Sequence, residues 1–452
     1  MREVPEKEKK WKRVRVGDTL RLVNGSAFKP TDWESEGLPI VRIQNLNNQA
    51  APFNLTKRRL PEKFKLHGGE LLFAWSGTPG TSFGAHIWRG GEAWLNQHIF
   101  NVLFDEEEWD KKFLQFAINQ NLADYIRAAH GGAGLAHITK GRFEESELPQ
   151  PPPSEQRQIV AELEKQFTRL EAGVAALRRV QANLKRYRTA ILKAACEGRL
   201  VPTEAELAKK ETRKFESAEA LLARILAERR QNWQGRGSFV EPAAPDATKL
   251  DKLPDGWTWA TVEQISNVVR GASPRPAGDP RYFGGNVPWI TVGPLTADNS
   301  PFLKSVSASL NDLGREHSRY IEPQTLLLTN SGATLGVPKI TLIGGCINDG
   351  VAAFLDVGYP LKLYLLYFLR TQTERLRSLN QGAAQPNLNT TIIKSINVPL
   401  PPLAEQTRIV ADMERRLSVA EGLESVVSAN IQRATRLRRS ILQKAFTGEL
   451  TS

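Results

Sequence analysis

Two closely similar stretches decide how this chain is built: LPQPPPSEQRQIVAELEKQF at Leu148–Phe167 and VPLPPLAEQTRIVADMERRL at Val398–Leu417. Extended towards the C-terminus, residues 151–202 align without a gap with residues 401–452, and 16 of the 52 positions are identical. A gapless match of that length is not expected by chance. The chain therefore carries an internal duplication whose two copies lie 250 residues apart.

Each copy of the duplicated stretch is typical of one long helix. Prolines end the incoming strand because they donate no ladder hydrogen bond, and Ser154 is a favourable N-cap residue. Apolar residues then recur every seven positions, and Gly198 ends the pattern, as a C-terminal glycine does. The stripe of the first copy consists of Leu163, Leu170, Leu177, Leu184 and Ile191. The stripe of the second copy, before Gly448, consists of Met413, Leu417, Ala420, Val427, Ile431 and Ile441.

The two helices are predicted to pair with each other. A helix of about 45 residues is roughly 67 Å long, and in water it must bury its apolar stripe against another helix. Because the second helix follows the second domain, it has to run back antiparallel along the first. The alternative is that the two helices belong to separate bundles.

The segments outside the helices resemble each other as well. WKRVRVGDTLRLVNG at 11–25 corresponds to WTWATVEQISNVVRG at 257–271, and ELLFAWSGTPG at 70–80 corresponds to TLLLTNSGATLG at 325–336. The predicted fold class is α+β: two duplicated mixed α/β domains separated by a long antiparallel two-helix coiled coil, with pseudo-two-fold symmetry. The predicted boundaries are 1–150 for the first domain, 151–202 for the first long helix, 203–252 for a short helix capped by Ser217 and a flexible linker, 253–400 for the second domain and 401–452 for the second long helix.

Composition limits the classes of protein to which the chain can belong. At 452 residues, with 40% hydrophobic and 24% charged residues, it is expected to form two or three globular domains. No apolar run is long enough for a bilayer, and the charged N-terminus lacks a signal-peptide core. Only two cysteines, Cys196 and Cys346, favour a reducing compartment, of which the cytoplasm is the simplest. Half of the net charge of +12 lies in residues 151–250, which suits a polyanionic partner but is equally typical of a solvated helix face.

No motif indicates catalysis. The chain contains neither a GxxxxGK[ST] phosphate loop nor the Asn/Asp-Pro-Pro-aromatic motif of an amino-methyltransferase. The two cysteines are 150 residues apart, and the six histidines have no metal-ligand spacing. The acidic run DEEEWDKK at 105–112 resembles a nuclease carboxylate cluster but is more typical of a solvated turn before a helix. The sequence therefore predicts no active site, no cofactor and no metal.

The order of the motifs resembles one known family. A glycine-rich loop, a short strand, PLPPLAEQ at 399–406 and a terminal SILQKAFTGEL at 440–450 follow one another as in the specificity subunit of type I restriction–modification systems. ILKAACEGRLVP at 191–202 and LLARILAERR at 221–230 resemble the central region of that family. The resemblance covers the whole chain.

This resemblance implies a subunit that binds double-stranded DNA and has no catalytic activity of its own. Such a subunit would assemble with two methyltransferase subunits and two restriction subunits, which carry the methyltransferase and ATP-dependent endonuclease activities. Each domain would read one half of a bipartite, interrupted target. The first copy departs from the family pattern at Gln150 and Pro153, and its glycine-rich loop lacks the NLN of residues 387–389.

Loops carry the candidate DNA contacts, because Arg and Lys read guanine, Asn and Gln read adenine, and Ser and Thr read several base edges. The candidates in the first domain are Lys29, Arg42, Gln44, Asn45, Lys57, Arg58, Arg59, Ser76 and Thr78. Those in the second domain are Arg270, Arg275, Arg281, Asn330, Ser331, Thr334, Gln385 and Asn387. Three tryptophans are interpreted as core residues, since duplex DNA offers no unstacked base: Trp75, Trp94 and Trp289.

Basic stretches at 178–193 and 433–444 occupy the same positions of the two repeats. The residues predicted to contact methyltransferase subunits or DNA phosphates are Arg186, Arg188, Arg436 and Arg438. The helices are also predicted to act as a ruler that fixes the distance between the two half-sites of the target. The length of the helices limits this distance to about 20 base pairs, and the half-site centres are expected about 10 base pairs apart. Two other functions stay open, a stand-alone sequence-specific regulator and a coiled-coil assembly adaptor that does not bind DNA.

Overall fold

The two duplicated stretches form two long helices, Pro153–Cys196 and Leu403–Thr447. They are divided between two units: Met1–Arg179 with Val427–Ser452, and Val180–Val426. Each unit therefore holds one α/β domain and a part of each long helix. The computed structural model describes residues 11–48, 50–77, 82–128, 136–234, 237–379 and 387–450.

Two four-stranded sheets make up the first α/β domain. Its strands are β1 (Arg13–Arg15), β2 (Arg21–Asn24), β3 (Leu38–Val41), β4 (Asn54–Thr56), β5 (Lys65–Leu66), β6 (Leu71–Ala74), β7 (Ser76–Gly77), β8 (Gly84–Ile87), β9 (Ala93–Leu95), β10 (Ile99–Leu103), β11 (Ala136–His137) and β12 (Glu147–Pro149). Its helices are α1 (Val16–Thr19), α2 (Ile43–Asn47), α3 (Lys111–Gln120), α4 (Leu122–Ala128), α5 (Lys140–Glu144) and the long α6 (Pro153–Cys196). The sheet orders are β2-β10-β6-β8 and β4-β3-β9-β5, and smaller pairs join β1 to β12 and β7 to β11.

The second α/β domain follows two further helices. Those helices are α7 (Glu204–Glu211) and α8 (Ala218–Gln231). The strands of the domain are β13 (Thr258–Thr261), β14 (Asn267–Arg270), β15 (Phe283–Ile290), β16 (Phe302–Leu303), β17 (Ser309–Leu310), β18 (Arg319–Ile321), β19 (Leu326–Thr329), β20 (Pro338–Thr341), β21 (Gly345–Ile347), β22 (Val351–Leu355) and β23 (Asn397–Leu400). Its helices are α9 (Val262–Ile265), α10 (Val292–Thr296), α11 (Asp312–Glu316), α12 (Leu361–Ser378), α13 (Thr390–Lys394) and the long α14 (Leu403–Thr447).

The two domains share one topology, which confirms the predicted duplication. The order β2-β10-β6-β8 corresponds to β14-β22-β19-β20, to which the second domain adds β16 at the edge. The order β4-β3-β9-β5 corresponds to β17-β15-β21-β18, and the middle pair of each of these sheets is parallel. In both domains the first strand pairs with the strand that leads into the long helix, β1 with β12 and β13 with β23. Each domain thus closes on itself at the base of its helix.

Within the first unit the long helices run antiparallel. Leu163 and Phe167, near the start of α6, share a hydrophobic core with Ile441 and Ala445, near the end of α14. The same core contains the inner faces of the sheet and of α3. The domain and its helical segments are therefore one folding unit, since neither buries its apolar face alone.

The second unit repeats this arrangement with the helix ends exchanged. Ile191 and Ala195, near the end of α6, share a core with Ile409 and Met413, near the start of α14. The antiparallel pairing predicted from the sequence is confirmed in each unit, and the alternative of separate bundles is wrong.

Burial varies along the predicted apolar stripe of both helices. Leu163, Leu184 and Ile191 are buried, whereas Leu170 and Leu177 between them are only half-buried. On α14 the buried members are Met413, Ala420, Val427 and Ile441, and the half-buried ones are Leu417 and Ile431. Each fully buried leucine or isoleucine stabilises the pairing by about 1.5–3 kcal/mol, so the buried positions contribute more than the half-buried ones.

The duplicated Glu-Gln pair after the prolines fastens each domain to its long helix. Trp11 Nε1 donates to Glu155 Oε2 at 3.0 Å, and Trp257 Nε1 donates to Glu405 Oε1 at the same distance. In both copies the following glutamine caps the proline run, because its Nε2 donates to the proline carbonyl five residues earlier, at 2.9 and 2.8 Å. These contacts give a structural reason why the pair is identical in the two repeats.

The two glutamines differ in one hydrogen bond. Gln156 Oε1 accepts from the amide of Asp110, the N-cap residue of α3, at 2.7 Å. The corresponding N-cap of α12 is Pro360, which has no amide hydrogen. Gln406 Oε1 is buried and has no donor among the described residues.

The central region contains one more helix than predicted. Ser217 caps α8 as expected, accepting from Ala220 N at 3.3 Å. The preceding helix α7 was not predicted; it starts at a capping box formed by Thr203 and Glu206. Of the predicted flexible linker, residues 237–252 are described, and they contain a 3₁₀ turn at Ala247–Lys249.

A buried carboxylate ties α7 to the base of α14. Glu204 N donates to Glu405 Oε2 at 2.8 Å, and the Glu204 carboxylate pairs with Arg213 and Arg408, each at 2.6 Å. Burial opposes the charged form of Glu204, but the two arginines hold its pKa below the ordinary value. Burial raises the pKa of Glu405. The charge of the Glu204 carboxylate is thus stabilised by its two arginine partners, as a buried charge must be.

Replacing the donor of the buried Trp257–Glu405 bond tests this fastening. Trp257→Phe leaves the buried Glu405 Oε1 without its tryptophan donor, so it should lower the free energy of unfolding of the second unit by about 1–3 kcal/mol. Trp11→Phe is the matched control, because it removes the equivalent bond at a half-buried position and should cost less. Amide hydrogen exchange measured in each domain separates the two units. Equal losses in both variants would contradict the prediction.

Candidate nucleic-acid interface

In each domain several loops converge where the two sheets join. The turn between β9 and β10, and its counterpart between β21 and β22, lie at this junction. Gly25, which follows β2, is so close to the first turn that an added Cβ would lie 2.1 Å from the carbonyl oxygen of Asn96. Gly271, which follows β14, has the same relation to Asn348, again at 2.1 Å. Both positions require glycine because any side chain would collide with backbone.

In the first domain these loops enclose a cleft of about 450 Å³. Its lining includes Phe28, Trp33, Arg42, Gln44, Gln97 and His98. Two of the predicted DNA contacts, Arg42 and Gln44, are thus brought to one cleft. Both side chains have the donors and acceptors that base edges require.

Arg42 is held in place by an aromatic neighbour. The residue precedes α2, and its guanidinium carbon lies 5.5 Å from the centre of the Trp33 ring, a cation–π contact. Desolvation, followed by the charges of His137 and Arg42, lowers the pKa of His98. The lowered pKa favours the neutral imidazole, whose Nε2 lies 3.3 Å from Gln97 Nε2 and whose Nδ1 is buried without a partner among the described residues.

The structure contradicts the prediction that Asn45 contacts DNA. Asn45 is fully buried, its Oδ1 accepts from Arg42 N at 3.1 Å, and its Nδ2 donates to Ala51 O at 3.3 Å. An asparagine three residues after the N-cap position satisfies a free helix amide, and here it also holds the following loop. Asn45 therefore positions Arg42 and does not face a base.

The basic residues of the first domain lie on its surface. Lys57 pairs with Glu36 at 3.0 Å, and Arg58 lies 3.6 Å from Asp32. Exposed pairs of this kind contribute only about 0–1 kcal/mol, so a DNA phosphate can replace the carboxylate at little cost. The four basic predicted contacts that are exposed are Lys29, Lys57, Arg58 and Arg59.

Ser76 and Trp75 lie at the edge of the cleft rather than in it. Ser76 is buried in β7 and pairs with His137 of β11, which contradicts the prediction that its side chain is free to contact DNA. The Trp75 ring lies edge-on to His98 and His137, with centroids 5.2 and 4.6 Å away, and it is only half-buried. Thr78 falls outside the described residues. The tryptophans that are buried as predicted are Trp94 and Trp289.

In the second domain two predicted arginines meet at one aspartate. Arg270 Nε donates to the carbonyl oxygen of Asp349 at 2.7 Å, and Arg275 Nη2 lies 3.1 Å from its Oδ2. Arg281 instead pairs with Asp279, two residues earlier, at 2.6 Å. The structure thus brings Arg270 and Arg275 together, with Arg281 engaged separately.

Asn330 is fully buried, which contradicts its predicted contact with DNA. Its backbone amide donates to Gly350 O at 2.9 Å, and its carbonyl accepts from Leu388 N at 2.7 Å. Its side-chain amide has no partner among the described residues. Asn330 therefore lies behind the surface, where it joins two loops through its backbone.

Its neighbours remain at the surface. Ser331 forms an isolated β-bridge with Asn387, at the place where β7 pairs with β11 in the first domain. Thr334 and Asn387 are exposed. Gln385 lies outside the described residues. The predicted contacts of this loop that are accessible are Ser331, Thr334 and Asn387.

Two of the four arginines predicted on the helices join the helices to each other. Arg188 pairs with Glu424 at 3.2 Å in the second unit, and Arg438 pairs with Glu171 at 2.9 Å in the first. These arginines occupy corresponding positions of the repeats, so the same kind of ion pair between the two long helices occurs once in each unit. For the two exposed residues a contact with a partner or phosphate stays a prediction: Arg186 and Arg436.

Sequence reasoning missed the residues at the tips of the two turns. They are Gln97 and His98 in the first domain, and Asp349 in the second. The available signal was weak, because the segments LNQH at 95–98 and INDG at 347–350 share only their asparagine. The two glycines that touch these asparagines, in the repeated segments before the first loops, were the stronger clue.

Three further observations concern chemistry other than recognition. Burial raises the pKa of the Cys196 thiol to about 12, so this thiol is protonated at neutral pH. In the described ranges, no group of three or more His, Cys, Asp or Glu residues could hold a metal ion. Searched over the same ranges, the helices include none that is long and apolar enough to cross a membrane.

Comparison with known proteins agrees with the duplicated architecture. A family model, described as type I restriction modification DNA specificity domain, matches residues 8–176 and again residues 254–422. The type I restriction enzyme EcoBI specificity subunit of Escherichia coli is 25% identical over 98% of this chain and 86% of its own length. The EcoKI specificity subunit of Escherichia coli strain K12 is 23% identical over 98% of this chain and 89% of its own length.

A solved structure has the same fold. It is described as the "structural basis underlying complex assembly and conformational transition of the type I R-M system" and superposes with a TM-score of 0.62 at 21% identity, over 97% of this chain and 98% of its own. Each range matched by the family model contains one α/β domain and the beginning of the long helix after it. The predicted family and fold class are confirmed. The chain belongs to the type I restriction–modification specificity family, and it is a DNA-sequence-recognition subunit with two recognition domains.

Proposed function

We propose that each α/β domain reads one half of a bipartite, interrupted target in double-stranded DNA, while the long helices set the gap between the halves and bind methyltransferase subunits. The observation that carries the proposal is that one strand order builds the same loop junction twice, with different side chains at each. Two copies of one backbone with different polar groups suit two different half-sites. Base contacts supply the sequence information, and exposed lysines and arginines hold the phosphates.

In this proposal the chain contributes recognition and its partners contribute chemistry. The methyltransferase and ATP-dependent endonuclease activities belong to two methyltransferase and two restriction subunits, and the complex acts on DNA in the cytoplasm. The resemblance to specificity subunits and the absence of a catalytic motif from the sequence support this division.

Changing the cleft of the first domain should affect only one half-site. Arg42→Ala and Gln44→Ala each remove a side chain that faces the cleft, and each should weaken discrimination by roughly 1–3 kcal/mol per bidentate base contact. The other half-site and the gap should not change. Sequencing the duplexes that the chain selects from a randomised pool measures both halves at once.

Asn45→Ala is the control for a merely structural effect. Because Asn45 is buried beside Arg42, its replacement should loosen α2 and lower stability without supplying a new reading group. Simultaneous changes in both half-sites after Arg42→Ala would overturn the model of two independent readers.

An apolar face on α14 supports the docking part of the proposal. Val419, Leu423 and Val426 are 58%, 49% and 58% exposed, and their spacing of four and three residues places them on one side of the helix. Single exposed apolar residues are ordinary, but a row on one helical face indicates a partner helix. We assign this face to a methyltransferase subunit, with the exposed Arg186 and Arg436 at partner or phosphate contacts.

Polar substitution of this face should weaken assembly. Leu423→Ser with Val426→Ser should reduce methyltransferase binding by about tenfold or more, since apolar contact area is lost from the interface. Leu313→Ser changes an equally exposed leucine of α11 and is the control. Titration calorimetry with the purified methyltransferase measures the difference, and Arg186→Glu with Arg436→Glu extends the test to the basic residues. Unchanged affinity in both double variants would place the docking site elsewhere.

Two other functions have distinct signatures in the same measurements. A stand-alone regulator would bind its target equally tightly with and without methyltransferase. An assembly adaptor would show no salt-dependent affinity for DNA, in contrast to a protein that displaces counterions from phosphates.

The ruler can be lengthened without disturbing either unit. Seven residues inserted after Arg179 and seven after Val426 lie at the boundary between the units and keep each apolar stripe in phase. Each insertion adds about 10 Å, at most about 3 base pairs of B-DNA. The recognised bases should stay the same and only the gap, about 10 base pairs between half-site centres in the parent, should grow. An altered half-site with the old gap would show that the helices are not the ruler.

A further inference from the structure

The turns Asn96–Ile99 and Asn348–Val351 have the same backbone in the two domains. In each, the amide of the last residue donates to the carbonyl of the first, at 3.2 and 3.0 Å. The amide of the first residue donates to the last residue of the neighbouring parallel strand, β3 or β15, at 3.2 and 3.1 Å. Three constraints therefore hold each turn: the hydrogen bond within it, the hydrogen bond to the neighbouring strand and the glycine that packs against its asparagine.

The side chains at the tips of these turns differ completely. The first turn presents Gln97 and His98, and the second presents Asp349 and Gly350 at the same two positions. Within the first domain, Gln97 and His98 line the same cleft as Arg42. A fixed backbone with exchanged polar tips is the arrangement that reading two different bases requires.

Asp349 is built into a small polar group. Its Oδ1 accepts from Ser273 Oγ at 2.6 Å, and its Oδ2 lies 3.1 Å from Arg275 Nη2. Its carbonyl oxygen accepts from Arg270 Nε at 2.7 Å. The side chains of Asp349 and Arg275 remain 39% and 70% exposed, so an approaching duplex can reach both.

The charge of this group is compatible with DNA. An isolated carboxylate would be repelled by phosphates, but two arginines surround Asp349 and leave the group with a net positive charge. Ser273 orients the carboxylate, so little side-chain freedom is lost when it makes a contact.

The chemistry of the pair matches one kind of base pair. In the major groove guanine offers the acceptors O6 and N7, which a guanidinium fork satisfies, and cytosine offers the N4 amino donor, which a carboxylate accepts. An arginine and an aspartate side by side therefore complement the two bases of a G·C pair. An A·T pair also presents a donor, N6 of adenine, and acceptors, N7 of adenine and O4 of thymine, but neither of its bases has the two adjacent acceptors that a guanidinium fork satisfies.

We propose that Arg275 and Asp349 together read one G·C pair in the half-site of the second domain, and that Gln97 occupies the corresponding reading position in the first. This inference rests on the proposed division of the target between the two domains. It adds two specificity-determining residues, Asp349 and Gln97, to the loops.

The competing explanation is that Asp349 only braces the loop that begins at Gly271. A brace affects how well the loop is held and hence the affinity for every sequence alike. A reader affects which base is preferred at one position. The two roles therefore separate in the pattern of selected sequences, whatever happens to the total affinity.

The experiment is selection of bound duplexes from a randomised pool by the full chain bound to the methyltransferase subunits, for the parent, four test variants and one control variant. Asp349→Asn should lower the preference for G·C at one position of one half-site by about tenfold, with the other half-site and the gap unchanged. Arg275→Ala should relax the same position. Gln97→Ala should relax one position of the other half-site. Ser273→Ala removes the brace but no reading group, so it should lower affinity without changing the preferred bases.

Asp255→Asn, which neutralises an exposed carboxylate elsewhere in the second unit, is the matched control and should select the parental target. Unchanged unfolding midpoints establish that each variant is folded. If Asp349→Asn lowers affinity for all duplexes equally and keeps the parental preference, as Ser273→Ala should, the inference is wrong while the proposed function stands. If the parent chain, bound to the methyltransferase subunits, selects no bipartite target, the proposed function fails instead.

Discussion

The structure depends on the burial of one apolar stripe by another along α6 and α14. A 44-residue helix with an exposed stripe gains little from its own hydrogen bonds, and tertiary packing supplies most of its stability. Each unit supplies that packing at its own end: Leu163 and Phe167 meet Ile441 in one, and Ile191 meets Met413 in the other. Because each domain core is continuous with its helical seam, neither the domains nor the helices are independent modules.

This dependence explains what the duplication kept and what it lost. The residues after the prolines were retained because they join domain to helix: Glu155 and Glu405 accept from a tryptophan of their own domain, and the following glutamines cap the proline run. Pro360 shows that part of this network can be lost. It has no amide hydrogen to donate to Gln406 Oε1, but Gln406 Nε2 still donates to the proline carbonyl five residues earlier. The loops at the sheet junction do not join the domain to its long helix, so their sequences could diverge.

The sequence allowed the architecture to be predicted, but only part of the interface. Heptads, repeated motifs and the paired segments around Gly25 and Gly271 specify helices and topology, because periodicity and backbone constraints are local. Asn45 and Asn330 were assigned wrongly because an asparagine that caps a helix or lies behind a loop has the same letter as one that reads adenine. Only burial distinguishes these roles. Helix α7 was missed because it is short and because the hydrogen bond that anchors its first residue, Glu204 N to Glu405 Oε2, joins residues 201 positions apart.

A fixed turn with replaceable tips has an energetic consequence. A base contact is worth roughly 1–3 kcal/mol, whereas a domain is stable by about 5–15 kcal/mol, so a side chain that also held the fold could not be exchanged without risk. Here the fold is held by the backbone bonds of the turn and by glycine against asparagine, neither of which involves the tip. Asp349 and Gln97 can therefore differ between domains on one scaffold, because changing them alters a half-site without altering the core.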